Sequence, residues 1–355
     1  MIELIGLLAV LVLVLILVYL SLREPAIKKL LVGLVLGLVL VYLSLRGIDF
    51  RQVADGFRQV RVDYVLLFLL IVFFVQSLRS FRWGLMLRPL ERVNQISLFS
   101  VTCVGFLAII SLPARLGELA RPYLITKKSQ IKMTAALGTI FVERVCDSIA
   151  ILAIFTGILF FVPFLPPWLV RSALLVSLLT FIFLAVMIIM LMKREAALKI
   201  LAPLIHRLSE RFAGKIEGLL HQLIDGFKIF SNVGLLLQVL LLSVFIWMVN
   251  AAAIYTLFHA FALNLPFTAA TVLMIILLIG IAIPTAPGFI GNWHYACILG
   301  LTLFDVPKSE ALTFAIIYHF LSIGIVTILG IIFLPFNKFS IADMKKEALS
   351  TDQAS

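Results

Sequence analysis

Apolar runs, all but one of them uncharged, follow one another along this chain, separated by short charged or proline-rich breaks. Seven of them, 4–22, 30–45, 64–78, 133–162, 172–192, 234–258 and 311–335, approach or exceed the roughly 20 residues a helix needs to cross a bilayer. They predict seven spanning helices. Two further runs, 97–112 and 268–283, have 16 residues each and stop at proline- and glycine-punctuated breaks. Such runs are short for a crossing and predict half-length arms.

Composition turns this pattern into a class. The 355 residues are 63% hydrophobic and 13% charged, with a mean hydropathy of +1.17, whereas a soluble domain is roughly 45–50% apolar and about 25% charged. The chain therefore reads as an all-α polytopic membrane protein. No polar stretch is long enough for a soluble domain, the longest being 193–232. Residues 1–22 carry Glu3 as their only charge before Arg23 and lack the basic start of a signal peptide, so they read as a retained helix. A net charge of +11 on so few ionisable groups suits cytoplasmic loops and anionic lipid, not nucleic acid. Three cysteines, Cys103, Cys146 and Cys297, show neither disulfide nor metal-ligand spacing. No cofactor and no metal are expected.

Basic residues orient the spans. The loop 193–228 is rich in Lys and Arg and the tail carries Lys338, Lys345 and Lys346, whereas 162–169 and 259–267 carry none. The first pair is placed in the cytoplasm, in a cell (inner) membrane, with an external N-terminus and a cytoplasmic C-terminus. Arg82, Arg88, Arg92, Lys127, Lys128 and Lys132 then fall on the inner side, so 97–126 enters and leaves from within. By the same reasoning 268–304 enters and leaves from outside. Two opposed re-entrant hairpins form an inverted repeat, an architecture of many transporters. One membrane domain follows: an extra helix at 1–22, a first repeat at 30–132, two central helices at 133–192, a cytoplasmic amphipathic segment at 193–232, a second repeat at 233–335 and a tail at 336–355. Arg46, Arg51, Arg58 and Arg61 fall outside, offset in part by Asp49, Asp55 and Asp63. The apolar stripe Leu201, Leu204, Leu208, Phe212, Ile216, Leu219, Leu223 and Phe227 predicts an interfacial helix pair, and Phe50, Val53, Phe57 and Val60 a shorter one.

Charged residues inside apolar segments locate the candidate chemistry, since each costs roughly 2.5–3.5 kcal/mol at a helix centre. At the first break stand Pro113, Arg115, Gly117, Glu118 and Arg121. Arg115 and Arg121 either snorkel to headgroups or, with the amides of the second arm, present a forked donor to a phosphate. Glu143, Arg144 and Asp147 lie deep in the run that starts at Met133, with the carboxylates four apart on one face. Either they pair structurally with Arg115, Glu118 or Arg121, or they titrate. At the second break, Pro287, Gly288 and Gly291 leave backbone groups free to bind. Asn250, His294 and His319 are further candidates, as interhelical glue or as functional groups. No catalytic triad or phosphate loop stands out.

At these residues the chain resembles the lysylphosphatidylglycerol synthase transmembrane-region family, flippase-like membrane proteins related to the lipid-translocating half of the multiple peptide resistance factor. Pro113 to Glu118 with Arg121 is similar to its first signature, Glu143-Arg144 with Asp147 to a downstream element, and Pro287-Gly288 with Gly291 to the second signature. The likeness spans about residues 28–335. Ile109, Ile110 and Ser111 stand where the family often has an asparagine, and His294 where it has a glutamate. The resemblance implies a non-enzymatic flippase or transporter for an anionic phospholipid or polyprenyl-linked headgroup, with membrane lipids as partners and a homo-oligomer compatible with it. Lysyltransferase activity is not expected, because no aminoacyl-transferase domain follows residue 335. Two alternatives stay open. One is an intramembrane headgroup or glycosyl transferase using Glu118, Glu143 or Asp147 as base. The other is an accessory subunit of envelope lipid or glycan assembly.

Overall fold

A computed structural model describes residues 25–112, 117–162, 165–195, 213–283 and 287–337. Among these residues the chain is all-helical, with twelve α-helices and a few short 3-10 turns. In chain order they are α1 (Pro25–Leu45), α2 (Phe50–Arg58), α3 (Val62–Leu87), α4 (Gln95–Ser111), α5 (Ala120–Thr126), α6 (Met133–Leu159), α7 (Pro167–Met192), α8 (Ala213–Asp225), α9 (Val233–Ala260), α10 (Phe267–Ala282), α11 (Asn292–Thr302) and α12 (Lys308–Phe333). The segment 1–22, Pro113, Arg115, the stripe residues 201–212 and most of the tail lie outside the described residues.

Among the described residues α3, α7, α9 and α12 are each long and apolar enough to cross a membrane, and α1 with α2 would add one more if that bent pair is a single span. Helix α6 has 27 residues, about 40 Å at 1.5 Å per residue, and carries Glu143, Arg144 and Asp147 inside it. The chain is a multi-pass membrane protein. Its outer surface suits lipid: Leu174, Leu178, Phe181 and Met192 of α7 are all exposed. The two 16-residue runs are separate helices, α4 and α10, each followed by a short arm, α5 or α11.

One expectation is corrected. The third span does not stop at Leu78, nor does Arg82 belong to an inner loop, because α3 runs on to Leu87 and buries Arg82 at 2% exposure. A charge ends an apolar count, but a paired charge does not end a helix.

The chain divides into two compact units. The first comprises Met1–Leu70, Ala108–Gly117 and Ala251–Val326. Within it α10 and α11 form an antiparallel hairpin: a Cβ on Gly280 would lie 2.7 Å from that of Ala296, and one on Gly300 2.7 Å from Leu273. Asn292, at the start of α11, donates from Nδ2 to the carbonyls of Gly280 (3.0 Å) and Ile283 (3.2 Å), closing the end of α10. The rings of Phe258 and Phe261 pack on Phe314, so the chain leading into the hairpin and the start of α12 that follows it adjoin. Helix α2 turns 87° from α1 and buries Val53 while Phe50 and Phe57 stay exposed, as its amphipathic spacing predicts. Lys308 closes the end of α1 through the carbonyls of Leu43 and Arg46. Arg58 pairs with Asp55 and Arg61 with Asp63, both at the surface.

The second unit comprises Ile71–Leu107, Glu118–Asn250 and Thr327–Ser355. Here the amide of Gln130 donates to Glu91 Oε2 at 2.8 Å, so the connection before α4 adjoins the loop after α5. Helix α8 packs tightly on α6: a Cβ on Gly138 would meet Leu223 O at 2.4 Å and one on Gly226 would meet Ala135 O at 2.3 Å. The described end of the amphipathic segment is thus docked against protein, with Ile224 and Phe227 buried. Arg194 fixes its far end through Asp225 at 3.1 Å and His221.

Candidate functional site

Three long helices and one short arm of the second unit bring charges together. Residues three or four apart share a helix face, and each helix uses that spacing: Arg79, Arg82 and Trp83 on α3, Thr139, Glu143 and Asp147 on α6, Ser243 and Trp247 on α9. The arm α5 contributes Arg121. Arg82, Arg121 and Glu143 are each 2% exposed and Asp147 is 7% exposed.

Two arginine–carboxylate pairs form the centre. Arg121 grips Glu143 with both prongs, Nη1 to Oε1 at 3.1 Å and Nη2 to Oε2 at 3.0 Å. Arg82 grips Asp147 through a short Nη1 contact to Oδ1 and a 3.2 Å bond from Nη2 to Oδ2. The same Arg82 Nη2 lies 3.3 Å from Glu143 Oε1, linking the pairs into one network. Trp247 Nε1 donates to Asp147 Oδ1 at 3.0 Å, and Ser243 Oγ accepts from Arg82 Nη1 at 2.8 Å. Bidentate guanidinium–carboxylate bonding is the geometry that best offsets the desolvation of a buried pair.

Aromatic walls complete the setting. The Arg121 guanidinium lies 4.3 Å from the centre of the Trp83 ring, whose Nε1 donates to Thr139 Oγ1 at 3.1 Å. Gly105 of α4 makes the notch for Arg121: a Cβ there would stand 2.2 Å from Arg121 Cγ. Arg144 faces outward and reaches Glu143 only at 3.9 Å. All four oxygens of Glu143 and Asp147 accept from arginine, so both carboxylates are held by ion pairs in this arrangement.

The expected charge pairing is therefore found for Arg121 with Glu143, while the partner of Asp147 is Arg82. Pro113 and Arg115 are outside the described residues. Glu118 is half-buried. Gly117 packs so closely that a Cβ would lie 2.2 Å from the Ala108 carbonyl carbon, which explains a glycine there by close backbone approach. Arg79, Arg82, Trp83, Ser243, Trp247 and Asn292 were missed. For the residues of α3 and α9 the signal was the three-to-four spacing of polar and tryptophan side chains along one helix, and for Asn292 its place directly after the second break.

The second signature is a backbone device of the first unit. Gly288 and Gly291 have φ of 71° and 95°, conformations a side chain resists, and Gly291 packs on α1 with room for no Cβ against Gly37 O at 2.3 Å. His319 Nε2 lies 2.7 Å from Gly288 O, and the His294 and His319 rings are 4.8 Å apart beside Trp293. Asn250 donates to Ile246 O of its own helix at 2.7 Å and not to a neighbour. Among the described residues no group of His, Cys, Asp and Glu is placed to hold a metal.

Residues 30–330 match the family described as lysylphosphatidylglycerol synthase TM region. Two UPF0104 membrane proteins of Methanothermobacter thermautotrophicus are similar. One is 24% identical over 319 residues, 84% of this chain and 92% of the relative. The other is 27% identical over 279 residues, 75% of this chain and 80% of the relative. UPF0104 membrane protein MJ1078 of Methanocaldococcus jannaschii is 25% identical over 223 residues, 62% of this chain and 89% of the relative. No solved structure matches the chain.

Proposed function

This chain belongs to the lysylphosphatidylglycerol synthase transmembrane-region family, and from that premise we propose that it moves a lipid with an anionic or lipid-linked headgroup between the leaflets of the cell membrane. The observation that carries the reading is the buried network of Arg82, Arg121, Glu143 and Asp147, with Arg121 on the short arm α5 and the other three on the long helices α3 and α6. Ionisable groups at such depth mark substrate pathways more often than structural necessity. An apolar exterior lets acyl chains remain in lipid while a headgroup follows the polar interior. Arg115 and Glu118 at the first break, with Gly117, and the backbone of Pro287, Gly288 and Gly291 at the second are the proposed headgroup-facing positions. Arg121 acts by holding α5 through Glu143. Ion pairing of Glu143 and Asp147 supports transport over a transferase that would use either of these two as base. The orientation is the one basic residues favour, N-terminus external and C-terminus cytoplasmic.

Proteoliposomes carrying headgroup-labelled anionic and zwitterionic phospholipids test this. Faster loss of the protected inner-leaflet fraction of the anionic lipid, with no new lipid product, is the expected result. A new product would indicate a transferase. Neither movement nor product would leave an accessory role.

A further inference from the structure

Arg79 stands one turn before Arg82 on α3 and is the guanidinium of this cluster that no carboxylate takes. Among the described residues it makes neither an ion pair nor a hydrogen bond. Its neighbours are two rings, Phe106 at 5.1 Å and Trp247 at 5.9 Å from its guanidinium carbon. Arg82 and Arg121 differ in kind: both are fully buried and their terminal nitrogens are occupied. Arg79 is half-buried, so its N–H groups remain reachable.

The cluster's charge is unbalanced in the same direction. Four guanidinium groups, Arg79, Arg82, Arg121 and Arg144, face two carboxylates, Glu143 and Asp147, which leaves two positive charges in surplus. Arg144 is 46% exposed in its side chain and can meet water or headgroups. Arg79, in the interior of a 26-residue helix, has no ion pair among the described residues and lies beside two rings. A cation over an aromatic ring keeps the in-plane N–H edges of the guanidinium free, and those edges match two oxygens of a phosphate. Trp247 serves both groups at once, its ring beside Arg79 and its N–H on Asp147, which fixes the wall in place.

We propose that Arg79 is the anion-binding residue of this site, taking the phosphate oxygens of a phosphate-bearing ligand between the walls of Phe106 and Trp247. This rests on the transport reading for its role but not for its existence. The shared chemistry of a phospholipid headgroup and of free phosphate is the phosphate oxyanion, and the test separates the two sources.

The full chain, purified in a nonionic detergent, would be melted in the presence of dihexanoylphosphatidylglycerol, dihexanoylphosphatidylcholine or inorganic phosphate. A ligand that binds only the folded state raises the melting temperature with its concentration. The expected result is a rise with the anionic lipid, and a half-saturating concentration about tenfold or more higher in Arg79→Gln, as loss of a charged hydrogen bond requires. Arg79→Lys should recover part of that loss. Phe106→Leu, which keeps every charge, should raise the half-saturating concentration about threefold and reads the site even if Arg79→Gln purifies poorly. An equal effect of inorganic phosphate at equal concentration, still dependent on Arg79, supports the site and names free phosphate as its ligand. Unchanged half-saturation in both Arg79→Gln and Phe106→Leu overturns the assignment, as does a wild-type protein that none of the three probes stabilises. Binding that depends on Arg79 without lipid movement in proteoliposomes removes the transport reading alone. Movement by the wild type with binding indifferent to Arg79 removes this one alone.

Discussion

Arg121 and Glu143 are joined by two parallel hydrogen bonds, 3.1 and 3.0 Å long, across 22 positions of sequence. Helix α5 has only seven residues, too few to be stable by itself, and this pair fastens it to α6. Removing one partner of a buried pair costs about 3–5 kcal/mol. Arg121→Ala should therefore lower thermal stability by that order in detergent. Arg121→Glu combined with Glu143→Arg should melt above either single variant. A double variant no more stable than the singles would mean that the bond does not hold the arm.

The Arg82 and Asp147 pair predicts an asymmetry. Arg82→Met alone strands a carboxylate that retains only the Trp247 N–H, so a loss of about 3–5 kcal/mol is expected. Adding Asp147→Leu removes the stranded charge, and stability should return most of the way. Lipid movement should stay reduced in the double variant, because one of the two buried charge pairs is gone. Melting curves and proteoliposome assays on the three proteins check both halves, and a fully active double variant would show the pair to be structural only.

Gly105 is required by space. Gly105→Ala places a methyl 2.2 Å from Arg121 Cγ and should destabilise by about 1–3 kcal/mol, the usual range for overpacking. Gly157→Ala in α6 is the control, since nothing lies within 4 Å of its added Cβ. It should be neutral within error in the same melts.

The first hairpin makes a topological prediction. Because Gln130 bonds to Glu91, cysteines introduced at Leu90 and Lys128 should be labelled from the same face of the membrane by an impermeant maleimide. The native Cys103, Cys146 and Cys297 are free and buried and are replaced first. Labelling of the two positions from opposite faces would make 95–126 a crossing and end the re-entrant reading.

Much of this fold was legible in one dimension. Apolar runs located the long described helices to within about five residues, α3 excepted at its far end, since burial in lipid is a property of the segment and needs no partner. Gly117 and Gly291 were legible as members of the proline- and glycine-marked breaks, and Glu143 with Asp147 as a shared face four residues apart. The 16-residue arms declared themselves by the proline- and glycine-marked breaks that end them.

Partner choice was not legible, and for a definite reason. A hydropathy count charges every arginine its full cost, whereas the cost in a folded protein depends on what stands opposite, here 22 residues away for Arg121, 65 for Arg82 and 100 for Trp247. The sequence by itself determined a polytopic helical membrane protein with ionisable groups at depth, because apolar length and charge position are linear quantities. Only tertiary packing decided that Arg82 lies inside α3 and not in a loop, that Arg121 is fastened to Glu143 and that Arg79 has rings for neighbours. Those outcomes follow from which helix faces meet, and no single segment contains that information.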